Sequence, residues 1–417
     1  MYKLLLGLIR KIKPLLIKIC PQPILKKGKR KFTASIINKM SNMYIIPFNK
    51  NSYPTGINLI GAIYNQSGLG EGCRLLANTL NQSQLPLTIY NYAPISVSSD
   101  FDKTWKYKCN SELLYNINII QIQPAEMPIA YSMLSKELWD KRYNIAFWSW
   151  ELEEFPDEWL PCLNVIDEIW CPSEFICNAI RKKTCIPVIS MPYSLQYSNN
   201  TKSDRKKYNL PENMFLFFMI YDHNSTLERK NPRGTLLAFK EAFSNNENVG
   251  IVLKISHYST EDENLISEIL GDRKNIFIIT DNLSRQELDV LMSSIDVYVS
   301  LHRAEGFGLT IAEAMLKQKP VIATNWSANI EYMNSESACM VGYKIIELKE
   351  SIYPFKAGSK WADPNISEAA SYMKMLYENK QYYNKISMNG KKYAEEKLNI
   401  QVSVDRVNKR INEILNS

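Results

Sequence analysis

Short apolar runs alternate with amphipathic stretches along the chain from about Thr55 onward. INLIGAI (57–63) reads as a buried strand, ends in the glycine-bearing NQSGLGEG (65–72), and leads into CRLLANTL, which has helical period. Strand, glycine loop and helix open a doubly wound unit. Further buried-strand runs follow at INIIQI (117–122), NIAFWSW (144–150), DEIWC (167–171) and PVISM (187–191), with a helix over SEFICNAIRKK (173–183). Such a series predicts a parallel sheet with helices on its faces. YSNNTKSDRKKYNLPEN (197–213) has no apolar period and reads as a linker. A second alternation then begins. MFLFFMIY (214–221), GIVLKIS (250–256), NIFIIT (275–280), DVYVSL (296–301) and PVIAT (320–324) are its strands. Helices are expected over RGTLLAFKEAF (233–243), SRQELDVLMSSI (284–295), the stretch after Glu305, and residues 366–415.

With 417 residues the chain exceeds one ordinary core. The expected division is a basic amphipathic segment at 1–50, a Rossmann-like domain at 51–200, and a second at 201–417 whose last helices pack back toward the first. The expected fold class is α/β, with two doubly wound domains facing across a cleft and ligands at the carboxyl ends of the strands.

Composition excludes a mostly disordered chain: 45% of residues are hydrophobic and 22% charged. The charge is unevenly placed. Residues 1–70 carry twelve Lys or Arg and no Asp or Glu, whereas residues 71–417 hold 38 basic against 43 acidic residues. MYKLLLGLIRKIKPLLIKI opens the chain with leucines and isoleucines broken by cations, too interrupted to span a bilayer and without a cleavage site. An amphipathic helix in the headgroup region fits, the alternative being a helix packed on the protein itself, and KKGKRK (26–31) adds attraction to anionic lipid. The expected partner is an anionic membrane surface and not nucleic acid. Eight cysteines without a CxxC pair, and three histidines without zinc spacing, fit a reducing compartment and no metal site. DFD (100–102) resembles a metal-binding D-x-D, but its polar surroundings make it a turn.

The candidate chemistry centres on HRAEGFGLTIAEAM (302–315). Glu305 follows a strand's carboxyl end. Gly306 and Gly308 let the backbone approach a ligand, and a helix starting near Gly308 presents N–H groups to a diphosphate. Glu313, one turn into that helix, is placed for a ribose, and Glu305 for sugar hydroxyls. The same spacing also suits a plain helix N-terminus with acids in its dipole, so spacing alone does not choose. Trp148, Trp150, Glu151 and Glu153, past another strand, read either as an acceptor groove or as core aromatics beside a helix start.

These residues resemble the retaining GT-B-fold glycosyltransferases of family 4. The resemblance rests on E-x7-E within SLHRAEGFGLTIAEAMLKQKPVIATNWSANIEYM (300–333), on FMIYDHNSTLERKNPRGTLLAFKEAF (218–243), and on WADP (361–364). AFWSWELEEFPDEW (146–159) and DEIWCPSEF (167–175) resemble the members that build bacterial O-antigen and capsule. By this resemblance Glu305 contacts the donor sugar and Glu313 the ribose. Gly306, Phe307, Gly308 and Leu309 face sugar and diphosphate, Lys230 with Arg229 neutralises the diphosphate, and Gly68 and Gly70 form the first domain's glycine loop near the reacting centre. Two positions depart from the pattern. Ser225 stands where many members have arginine, which leaves that charge to Arg229. No histidine lies in the first half, and Gln121 or Gln123 stands in its place. The implied activity is metal-independent, retaining transfer of a hexose, mannose among the candidates, from a GDP- or UDP-linked donor, with no cofactor. The implied acceptor is a lipid-linked oligosaccharide or growing surface polysaccharide, at the cytoplasmic face of the plasma membrane. The competing expectation is a non-catalytic glycan- or nucleotide-binding component of a membrane assembly.

Overall fold

The computed structural model describes residues 20, 22–40, 44–92, 102–195, 201–243 and 248–417. The amphipathic start at 1–19 and the first two residues of DFD lie outside them. The chain forms two compact units: residues 1–149, 154–194 and 400–417 make the first, and residues 150–153 and 195–399 the second.

The first unit begins with α1 (Gln22–Met40), which carries the KKGKRK cluster. Ile36 and Met40 on this helix are buried, and the Asn164 side-chain amide donates to the Met40 carbonyl at 3.0 Å. β1 (Ile57–Gly61), α2 (Gly68–Asn81), β2 (Leu87–Asn91), β3 (Ile117–Gln121), α3 (Met127–Met133), β4 (Tyr143–Phe147), β5 (Glu168–Cys171), α4 (Glu174–Arg181) and β6 (Val188–Ser190) follow. The strands form one parallel sheet in the order β2-β1-β3-β4-β5-β6. Strand order therefore reverses between β1 and β3. β2 carries too short an apolar run to stand out in the sequence.

Three of these strands share a polar device. Asn58, Asn118 and Asn144 lie side by side in register, all fully buried. Asn58 donates to Asn118 at 2.9 Å, Asn118 to Asn144 at 2.8 Å, and Asn144 to the Trp139 carbonyl at 3.0 Å. Each amide in the row donates to the next partner, which is how polar groups are tolerated in such a core.

The last helix, Ile400–Asn416, belongs to this unit. Arg410 on it grips the fully buried carboxylate of Glu168 through Nε at 3.0 Å and Nη2 at 2.6 Å. Tyr143 and Trp170 donate to the same carboxylate at 3.0 and 2.6 Å.

The second unit comprises β7 (Phe215–Asp222), α5 (Leu227–Lys230), α6 (Pro232–Ala242), β8 (Val249–Ser256), α7 (Thr260–Leu270), β9 (Ile276–Ile279), α8 (Arg285–Ser294), β10 (Val297–Ser300), α9 (Leu309–Leu316), β11 (Val321–Thr324), β12 (Cys339–Val341), an antiparallel ribbon of β13 (Tyr343–Glu347) and β14 (Lys360–Pro364), α10 (Ile366–Glu378) and α11 (Lys380–Lys397). Its six-stranded sheet is parallel, in the order β12-β11-β10-β7-β8-β9. Counted from β7, this is the 3-2-1-4-5-6 order of a dinucleotide-binding fold, with the topological switch between β7 and β10. Alternate residues of β7, β8 and β10 (Phe217, Leu253 and Val299 among them) point into one core with Leu236, Phe239 and Met373.

The stretch read as a linker is in part structural. Residues 196–200 lie outside the described residues, but Arg205 is locked into the second unit. Its guanidinium donates to the carbonyls of Pro211 (3.0 Å), Met214 (2.6 Å) and Ser294 (2.9 Å) and pairs with Asp296 at 2.8 Å.

Candidate active site

Two loops leave the sheet at the β7/β10 switch, where ligands bind in open α/β sheets. The first runs from Asp222 through α5 to Asn231. Asn231 adopts a left-handed conformation (φ 54°) and caps α6 by accepting from Gly234 N at 3.0 Å, with Pro232 opening the helix. A Cβ on Gly234 would lie 2.4 Å from the Asn231 amide nitrogen, so the cap and the glycine three residues later fit together. The same Asn231 amide donates to the Leu301 carbonyl at 2.8 Å and ties this loop to the end of β10. Arg229 adds a second tie, donating to the Ala304 carbonyl at 2.8 Å, while its own carbonyl accepts from Arg303 N at 2.8 Å.

The second loop carries Glu305. Its carboxylate is buried and ion-paired with Lys230, and Arg229 lies 3.3 Å away. Burial alone would push the Glu305 pKa up, but the two cations outweigh it and hold the value at about 2. Glu305 is therefore an anion at neutral pH. The loop is fixed from below by residues that the sequence did not single out. Ser327 Oγ accepts from Glu305 N at 2.9 Å, Thr324 donates to the His302 carbonyl at 2.6 Å, and Asn329 Oδ1 lies 3.0 Å from His302 Nε2. His302 is fully buried, and that burial lowers its pKa. Arg303 turns away to Asp363 of WADP at 2.8 Å.

Gly308 precedes α9 with φ +83°, a left-handed conformation that favours glycine. A Cβ there would also meet the Tyr332 hydroxyl at 2.8 Å. That hydroxyl reaches the carbonyls of Phe307 at 2.6 Å and Gly308 at 2.8 Å, which fixes the approach to the helix. Gly306, Phe307, Gly308 and Leu309 thus stand at a helix start beside Glu305 and Lys230, a position suited to an anion. Glu313 lies further along α9 and is buried; Arg285, the first residue of α8, donates to it at 2.7 Å. Arg285 also pairs with Asp289 at 3.1 Å. The switch region of this unit therefore brings together Lys230, Arg229, Glu305, the glycine loop and Glu313.

The remaining residues singled out in the sequence have these places. Gly68 and Gly70 belong to the first unit and to the first turn of α2, not to a loop. Ser67 caps that helix by accepting from Gly70 N at 3.2 Å, so the helix starts earlier than its apolar period does. A Cβ on Gly70 would lie 2.0 Å from the Asn65 carbonyl oxygen, so this glycine is needed for close packing. Trp148 and Trp150 are buried. Trp148 stacks on Phe155 (5.8 Å between centroids) and Trp150 packs on Phe355 (5.5 Å), so both are core aromatics and not the walls of a groove. Gln121 donates to the Leu69 carbonyl at 3.0 Å, and Gln123 accepts from Ser149 N at 3.1 Å. Arg229 donates to Ser225 Oγ at 3.1 Å, so at this departure from the family pattern the serine is held by the neighbouring cation. Asp222 pairs with His257 at 2.9 Å. Asp102 accepts from Thr104 N at 2.9 Å, as a turn residue does. Among the described residues no group of three or more His, Cys, Asp or Glu is placed to hold a metal ion.

Residues 200–393 match the family model described as glycosyl transferases group 1. No curated protein matches the chain. Among solved structures, an Anabaena protein, HepE, in complex with UDP and glucose is 14% identical with a TM-score of 0.60, over 87% of this chain and 99% of that one. Sucrose-phosphate synthase from Thermosynechococcus elongatus is 12% identical with a TM-score of 0.62, over 87% and 99%. A glycosyltransferase from Rickettsia africae is 14% identical with a TM-score of 0.61, over 88% and 99%. The two doubly wound units and these likenesses establish the GT-B fold, and the unit that holds Glu305, Lys230 and Glu313 is the part of the chain that matches glycosyl transferases group 1.

Proposed function

We propose that the protein is a retaining, metal-independent hexosyltransferase of the family 4 type. It uses a UDP- or GDP-linked donor and acts on a lipid-linked or growing bacterial surface polysaccharide. The observation that carries the reading is the cluster of Lys230, Arg229 and Glu305 at the β7/β10 switch, beside the start of α9. Transfer requires the nucleoside diphosphate to depart as an anion. Fixed cations and helix N–H groups stabilise charge as it develops, without reorganising. Lys230 has three N–H donors, and among the described residues its ammonium bonds only Glu305, which leaves donors for a diphosphate. Arg229, held on the Ala304 carbonyl, contributes field more than direct contact. Glu305, ionised and immobile, accepts from sugar hydroxyls and fixes the ring. An acceptor hydroxyl that attacks from the face the diphosphate leaves gives retention. These cations supply the charge stabilisation, so the reading requires no metal. HepE, a structural neighbour of this chain, was solved with UDP and glucose, which supports a nucleotide-sugar donor here.

The test is product formation from UDP-glucose and GDP-mannose with a bacterial lipid-linked acceptor extract. The expected result is acceptor-dependent release of UDP or GDP, in the presence of chelator, with the donor's anomeric configuration kept in the product. An inverted product, or activity abolished by chelator, would refute the stated mechanism.

The acceptor assignment places the protein at the inner membrane surface, held there by the basic segment at 1–50. Among the described residues no helix is long and apolar enough to cross a membrane. Replacing the five cations of KKGKRK by glutamine is expected to weaken binding to vesicles containing phosphatidylserine by at least about 10-fold, since each cation near the surface contributes roughly 1 kcal/mol. Cosedimentation measures this, and unchanged binding would remove the role of that cluster.

A further inference from the structure

Lys254 is a lysine inside a buried strand. Its neighbours Leu253 and Ile255 point into the core of the second unit, so Lys254 points to the opposite face of β8. It is 4% exposed. Among the described residues its ammonium has one hydrogen bond, a long one of 3.4 Å to Ser256 Oγ. Asp281 and Asp222 act on it electrostatically and raise its pKa, but burial outweighs them and leaves it below the ordinary lysine value. Neither carboxylate forms an ion pair with it, and Asp222 is engaged by His257. A buried ammonium with one weak partner is costly, and an aliphatic residue would serve the sheet better.

Its place in the unit connects it to the proposed donor site. Lys254 lies two residues before the carboxyl end of β8, level with Ile220 of β7 and Ile279 of β9. Glu305 follows β10, and Lys230 follows β7. Glu313, the proposed ribose carboxylate, is held by Arg285, which begins α8 directly after the β9 connection. That same connection supplies Asp281. The sequence of groups therefore runs along the carboxyl edge of the sheet from sugar to diphosphate to ribose, and then toward β9 and β8. β8 lies about 10 Å from β10 at two strand spacings, a span that the nucleoside part of a donor covers.

We infer that Lys254 reads the nucleobase, donating a hydrogen bond from its ammonium to a ring keto oxygen and so selecting a keto base over an amino base. An ammonium only donates, so it satisfies O4 of uracil or O6 of guanine and rejects the amino group of cytosine or adenine. This inference rests on the proposed donor site, and the experiment separates the two.

Calorimetric titration of the full chain with UDP, CDP, GDP and ADP is the test, on wild type, Lys254→Met and Lys254→Arg. UDP against CDP and GDP against ADP distinguish the two keto bases. The wild type is expected to prefer the keto member of the pair it binds by about 10- to 100-fold, the worth of a hydrogen bond to a charged group. Lys254→Met is expected to erase that preference by weakening the keto nucleotide while sparing the amino one, and Lys254→Arg to retain part of it. A preference that survives Lys254→Met, or a wild type with no keto preference, overturns the inference. The wild-type comparison needs no variant to fold. If Lys230→Ala leaves UDP and GDP binding intact, the donor site lies elsewhere, whatever Lys254 does. A wild type that binds none of the four removes the donor site and this inference together.

Discussion

Lys230→Ala and Glu305→Ala are each expected to lower sugar transfer by about 10²- to 10³-fold, the usual loss when one fixed stabiliser of developing charge is removed. The two changes act differently on the fold. Removing Lys230 leaves the buried Glu305 carboxylate with Arg229, 3.3 Å away, as its remaining cation, so the Glu305 pKa rises from about 2. Removing Glu305 leaves Lys230, which is partly exposed, able to find water. Either single change leaves a buried charge short of a partner, since Glu305→Ala also strips Arg229 of its carboxylate, and the double variant should unfold at a smaller cost than the sum of the singles, because the Lys230–Glu305 pair is then lost only once. Activity should show the reverse and remain lost in the double variant. The pH dependence follows from the depressed pKa of Glu305. The stability its pairing contributes is fully present above the unfolded carboxyl value, about 4.3, and is lost as pH falls toward the folded value of about 2. Urea unfolding of wild type and Glu305→Ala across that window measures it; the two curves should converge at the acid end.

Arg410→Ala is expected to destabilise the first unit by about 3 kcal/mol, the lower part of the range for breaking a buried pair, because the Arg410 side chain is 23% exposed. Glu168, in contrast, is fully buried and accepts from Tyr143 and Trp170 as well. Without the guanidinium those two neutral donors cannot compensate its charge. The carboxylate must then take up a proton, or the last helix must lift. Nucleotide affinity should stay unchanged, because Lys230, Arg229, Glu305 and Glu313 all lie in the other unit. Chemical denaturation measures the loss; an unchanged midpoint would show that the helix Ile400–Asn416 holds by its apolar face alone.

Both predictions depend on residues that the sequence disclosed to different degrees. Period and spacing reveal the parallel strands of both units except β2 and β12, and the helix start near Gly308, whereas Glu305 and Glu313 stand out as a pair only through the family resemblance. A buried parallel strand is a nearly unbroken apolar run, and a helix start beside a left-handed glycine has a short, local signature. Partners distant in sequence have no such signature. Ser327 and Asn329 under the Glu305 loop, Arg285 on Glu313, and Arg410 on Glu168 are ordinary polar residues until the fold places them. Asn58, Asn118 and Asn144 interrupt strands that otherwise read as apolar, and only the register shows that they satisfy one another. α7 opens on a capping box of Ser259 and Asp262, and its acidic first turn masks the apolar period of Ile266, Ile269 and Leu270. Trp148 and Trp150 show the opposite limit. Tryptophan past a strand end suits a sugar surface and a core equally, and burial alone decides.

The central claim is that the β7/β10 switch of the second unit holds a nucleoside diphosphate through Lys230 and the start of α9. Calorimetric titration of UDP and GDP into wild type and Lys230→Ala, in buffer containing chelator, tests it most directly. The account predicts saturable binding of at least one of the two to wild type, weakened by at least about 10-fold in a folded Lys230→Ala variant, as expected for a lost charge-assisted hydrogen bond. Equal binding by both proteins, or none by either, would contradict it.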